Sequence, residues 1–97
     1  MNNIQEKYPK PHPQTAGRVI DGEAVLILSD NSEVNVLNLV GSRIFELSDG
    51  THRIADIIET IASEYEVSAK QAEEDIMTFL QQMVKQQVIV LSDTKEA

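Results

Sequence analysis

Ninety-seven residues, 41% apolar and only 4% aromatic, suffice for one small domain with an aliphatic core. A net charge of -8 and a pI near 4.5 repel phosphate backbones and anionic membranes and favour basic partners. The absence of cysteine excludes disulfides, thiolate nucleophiles, thiolate zinc sites and cysteine-held iron-sulfur clusters within the chain, and points to a reducing cytoplasm.

The first residues, MNNIQEKYPK, lack an apolar signal region, and the longest apolar run, Ala24 to Leu28, is far short of a membrane span. Prolines alternate in PKPHP, residues 9 to 13, which favours extended polyproline-like backbone and forbids a helix. Residues 1 to 16 are therefore expected to form a flexible arm ahead of a domain spanning residues 17 to 91, with a polar tail over 92 to 97.

Asp21-Gly22 sits between two apolar segments, a hairpin signal that predicts strands near 18 to 20 and 23 to 28. After the polar loop SDNS, residues Glu33, Val34, Asn35, Val36 and Leu37 alternate with period two and predict a third, half-buried strand in a small antiparallel sheet. Val34 and Val36 share one face, Asn35 and Leu37 the other.

Asn38 is placed to cap a first helix carrying Val40, Ile44 and Leu47 at helical spacing, and Asp49-Gly50 ends it with a left-handed glycine. A second helix from Thr51 puts Ile54, Ile57, Ile58, Ile61 and Tyr65 on one stripe. Ser68 and Gln71 suit a capping box for a third helix, with Ala72, Ile76, Phe79, Leu80 and Met83 facing inward. The apolar segment Val88 to Leu91 follows, with the shape of a strand. The order is that of an α+β, winged-helix-like domain: a small three-stranded antiparallel sheet followed by a three-helix bundle.

Leu37-Asn38, Ile44, Leu47-Ser48-Asp49-Gly50, Ile54, Ile57, Asp75-Ile76 and Phe79-Leu80 together resemble the PqqD family over about residues 17 to 91. Two positions depart from the family pattern: Ser29-Asp30 stands where Pro-Glu is common, and Gln87 where a glycine often follows the third helix. The resemblance implies a non-catalytic recognition element that binds the leader of a ribosomally made precursor peptide and presents it to a modifying enzyme, such as the radical S-adenosylmethionine enzyme of the pyrroloquinoline quinone route. It implies no cofactor in this chain, since the iron-sulfur cluster and S-adenosylmethionine would belong to the enzyme.

In that family mode the leader adds a strand to the edge of the third strand and rests against the third helix, a β-augmentation. The implied contact residues are Glu33, Val34, Asn35, Val36 and Leu37 on the strand, with Asp75, Thr78, Phe79 and Gln82 on the helix. At 100° per residue Asp75, Thr78 and Gln82 form one flank of the apolar stripe, where Asp75 can pair with a basic leader residue; Met77 and Val84 form the other, with Met77 the rival contact.

Catalytic patterns are scarce. His12 and His52 have no acidic or histidine partner at metal spacing, the run Glu73-Glu74-Asp75 is what a helix dipole favours in early turns, and the four glycines match no phosphate loop or dinucleotide fingerprint. Two other readings use the same fold. A winged-helix DNA-binding protein would need a basic recognition helix, but the third helix sets Lys70 and Lys85 against Glu73, Glu74 and Asp75. A general protein-protein adaptor would use the same sheet edge without any peptide modification.

Overall fold

A computed structural model describes residues 4–13, 15–20, 23–28, 33–36 and 38–96. After a single 3-10 turn at Ile4–Glu6 come strands β1 (Tyr8–Pro11), β2 (Thr15–Ile20), β3 (Glu23–Leu28) and β4 (Glu33–Val36), helices α1 (Leu39–Leu47), α2 (Ile54–Glu64) and α3 (Ala69–Lys85), and strand β5 (Ile89–Ser92). The class is α+β. The strands fall into two antiparallel sheets rather than one: β1 pairs with β5, and β2, β3 and β4 lie side by side in that order. The Asp21-Gly22 turn, Ser29-Asp30 and Leu37 lie outside the described residues.

Within residues 1 to 16, expected to form a flexible arm, Tyr8–Pro11 form strand β1. His12 N–H donates to the Val88 carbonyl at 2.8 Å, which sets the hydrogen-bonding parity of the ladder. Tyr8 and Lys10, opposite Ser92 and Val90, share that parity, whereas Pro9 and Pro11, opposite Leu91 and Ile89, point their backbone polar groups away from β5. Alternate prolines thus fall where the ladder needs no donor. The away-facing carbonyls find partners in the helical layer: Lys7 accepts from Ile54 N–H at 3.0 Å and Pro9 from Gly50 N–H at 2.8 Å. The polar tail is tied down as well, through Glu96 N–H to the Gly50 carbonyl at 2.9 Å and Lys10 Nζ to Glu96 at 2.9 Å.

The core is the helical stripe of the sequence with its edges adjusted. Ile54, Ile57 and Ile76 are fully buried, joined by Ile44, Leu47, Ile58, Ile61, Ala72, Leu80, Met83, Val88 and Ile89. Phe45, absent from the expected stripe, is buried too, while Val40 at 38% and Tyr65 at 40% exposure are not inward-facing. Tyr65 lies at the C-cap of α2, where Glu66 turns left-handed (φ 52°) and Val67 N–H closes on the Ala62 carbonyl at 3.2 Å, so the stripe ends one turn earlier. No helix among the described residues is long and apolar enough to cross a membrane.

Helix α2 begins at Ile54, not Thr51, because Asp49 captures the intervening turn. Its Oδ1 accepts from Thr51 N–H at 2.9 Å and from the Thr51 hydroxyl at 2.5 Å, holding both out of the helix. His52 Nδ1 lies 3.1 Å from both Asp49 Oδ1 and the Leu47 carbonyl, so it serves as a donor in this turn. Asp56 then accepts from Arg53 N–H at 3.1 Å and opens the helix. Arg43 on α1 forks onto Glu64 (Nε to Oε1 2.9 Å, Nη2 to Oε2 2.7 Å), joining the middle of α1 to the C-terminal end of α2.

Because Ile57 has no exposure and sits between helices, Ile57→Ala is expected to lower stability by about 2–5 kcal/mol, read as a fall in the urea midpoint. The end of α3 should respond in the opposite sense. Val88 N–H bonds the Met83 carbonyl at 2.9 Å and Gln87 N–H the Val84 carbonyl at 3.0 Å, a Schellman turn that puts Gln87 at φ 62°. Gln87→Gly removes the left-handed strain and should raise stability by about 1 kcal/mol in the same assay, after the entropy that glycine gains in the unfolded chain.

Acid should weaken the Arg43 tie. The Arg43 hydrogen bonds lower the Glu64 pKa from its ordinary value, and the Arg53 hydrogen bonds lower that of Asp56. A folded pKa below the unfolded one contributes stability that is present above about pH 4–5 and lost as pH falls through the lowered value. Arg43→Gln should therefore narrow the difference between urea midpoints at neutral and acid pH; an unchanged difference would remove this pair from the account.

Candidate functional site

Strand β4 is an edge. Its register against β3 sets Val36 opposite Val25, Asn35 opposite Leu26, Val34 opposite Ile27 and Glu33 opposite Leu28, and among the described residues no strand pairs with its outer side. Two residues past the strand, Asn38 adopts extended backbone (φ -68°, ψ 175°) and its Oδ1 accepts from Gly41 N–H at 2.7 Å, so α1 starts at once. The edge therefore ends against a helix start, not a loop.

Helix α1 packs on β3 and α2, α2 on α3, and α3 on β5, so the sheet bearing β4 and the helix bearing the other expected contacts are held in one frame through α1 and α2. Ser68 Oγ caps α3 by accepting from Gln71 N–H at 3.1 Å. Along α3, Asp75, Thr78 and Gln82 are all exposed, and Phe79 is half-buried against the core. Asp75 is oriented by Gln71, whose Nε2 donates to Oδ1 at 3.0 Å.

Two hollows flank α3. One is a shallow groove lined by Thr78, Gln81, Gln82, Lys85 and Gln86, which brings the expected Thr78 and Gln82 together. The sequence reading missed Gln81, Lys85 and Gln86, although their spacing of three, seven and eight residues from Thr78 is the helical signal that groups them. The other is an apolar cleft of about 160 Å³ between α3, β5 and the N-terminal turn, where Met77 lies with Ile4, Leu80, Val84 and Leu91. Thr78 and Gln82 of one contact set and Met77 and Val84 of the other thus line different hollows, which meet at Gln81.

The histidines take structural places, His12 in the β1 ladder and His52 in the Asp49 turn. Among the described residues no group of three or more His, Asp or Glu side chains is arranged to hold a metal ion.

The model of the family described as coenzyme PQQ synthesis protein D (PqqD) matches residues 23–89. A solved structure of TbiB1 in complex with the TbiA(beta) leader peptide resembles the fold with a TM-score of 0.75 at 30% identity, covering 82% of this chain and 93% of that chain. Lasso peptide synthetase B1 complexed with the leader peptide gives a TM-score of 0.76 at 24% identity, over 86% of this chain and 98% of that chain, a likeness of fold. No curated protein matches the sequence. The matched stretch carries β3, the β4 edge, all three helices and the start of β5, and on that span the chain belongs to the PqqD family.

Proposed function

We propose that this chain is a non-catalytic peptide-binding protein that takes the leader of a ribosomally made precursor as an added strand on β4 and presents the rest of the precursor to a modifying enzyme. The observation that carries this reading is the open outer edge of β4 in a chain of the PqqD family. A likeness of 30% identity to a protein in complex with a leader peptide supports it.

The chemistry suits an adaptor. Edge N–H and C=O groups give an extended peptide hydrogen bonds that do not depend on its side chains, and the flank of α3 with Asp75, Thr78, Phe79 and Gln82 supplies the choice among sequences. In this reading β2, β3 and β4 form the wing of a winged-helix-like domain turned to peptide binding. The partner enzyme is a radical S-adenosylmethionine enzyme that brings its own cluster and cosubstrate. The setting is cytoplasmic, and the gain in rate comes from a raised local concentration of substrate at the enzyme.

Titration with a synthetic leader, taken from the precursor gene nearest this one, should shift the amide resonances of residues 33 to 36 together with those of residues 75 to 82. Proline at Asn35 or Val36 should abolish binding at whichever position directs its N–H outward, in a variant whose circular dichroism is unchanged, because proline has no donor for the new ladder. Shifts confined to α2, with both proline variants folded and binding normally, would overturn strand addition.

A further inference from the structure

Asp75 and Lys85 are ten residues apart on α3, which places them about 15 Å apart along the helix axis at about 1.5 Å per residue. They lie within about 80° of each other around that axis, with Thr78 and Gln82 between them. Both are exposed, and neither makes an ion pair among the described residues. Of the other described cations, Lys7 pairs with Asp93, Lys10 with Glu96, Arg43 with Glu46 and Glu64, and Arg53 with Glu6 and Asp56, while Lys70 at the start of α3 and Lys95 in the tail make no ion pair among the described residues but do not line the groove. In a chain with 16 acidic and 8 basic side chains, an unpaired lysine beside a groove of glutamine amides is set apart by its surroundings.

We infer that Asp75 and Lys85 act as the two poles of a charge gauge on α3 that selects leaders carrying a basic and an acidic side chain about four residues apart, and fixes the direction in which the leader runs. An extended peptide advances about 3.3 Å per residue and returns to the same face every second residue, so positions i and i+4 lie about 13 Å apart on one face. Long side chains span the remaining distance. Thr78, Gln81, Gln82 and Gln86 offer neutral donors and acceptors between and beside the poles, which tolerate varied polar residues at the intervening positions. Reversing the peptide would bring base to Lys85 and acid to Asp75, and two like-charge contacts disfavour that register. The inference rests on the leader-binding reading and names the class of peptide it takes.

The probe is a library of random linear peptides selected for binding to the full chain. Enriched peptides are expected to share a Lys or Arg four positions from an Asp or Glu, always in the same order. Lys85→Glu should weaken the best of them roughly threefold to tenfold at low salt, less at high salt. The double variant Asp75→Lys, Lys85→Glu should recover affinity for the same peptide with its two charges exchanged, a rescue that a role in helix stability alone would not produce. Peptides that bind and lose affinity on proline substitution in β4, yet show no charge spacing and are indifferent to Lys85→Glu, would overturn the gauge and leave the leader-binding reading standing. No enriched peptide at all would overturn both.

Discussion

The turn around Gly50 is the constraint on which the outer parts of the fold depend. At φ +87° it adopts a backbone conformation that side chains disfavour. Its N–H reaches the Pro9 carbonyl at 2.8 Å and its C=O receives Glu96 N–H at 2.9 Å. A Cβ there would stand 2.5 Å from Glu96 Cγ and 3.4 Å from Lys10 Cβ. One residue without a side chain therefore lets the first strand and the residues beyond the last strand close on the same spot.

The resulting architecture separates two tasks. Burial of Ile54, Ile57, Ile58, Ile61, Ile76 and Leu80 holds α2 and α3 together. Asp75, Thr78 and Gln82 on the exposed flank of α3 lie outside that core, so they can vary without unfolding the domain. Backbone groups on the edge are the same for any sequence, whereas Asp75, Thr78, Gln82 and Lys85 are not. In the proposed mode affinity arises on the strand and discrimination on the helix.

Much of this was legible in the residues. Period-two alternation located β4 and the Asn38 cap located the start of α1, because both signals are local. The same holds for the aliphatic stripes of α2 and α3. What escaped was tertiary: Asp49 side-chain capture delays α2 by three residues, and alternate prolines that read as a loose arm are alternate ladder positions once β5 is beside them. The groove on α3 was half legible. Thr78 and Gln82 came from the flank geometry, while Gln81, Lys85 and Gln86 carry no individual signature beyond their helical spacing from Thr78.

In the proposed mode the protein accepts a foreign strand, and such a protein risks accepting copies of itself, since an edge that templates a peptide also templates a neighbour's edge. The prolines of β1 bear on that hazard. Pro9 and Pro11 present no N–H on the side away from β5, and the Lys7 and Pro9 carbonyls there are already taken by Ile54 and Gly50. The two-stranded sheet is thus closed to run-on polymerisation along this side, and sheet growth on β1 stops at the protein's own helical layer. Insolubility after loss of residues 4–13 would then reflect a newly bared β5 edge as much as any loss of core.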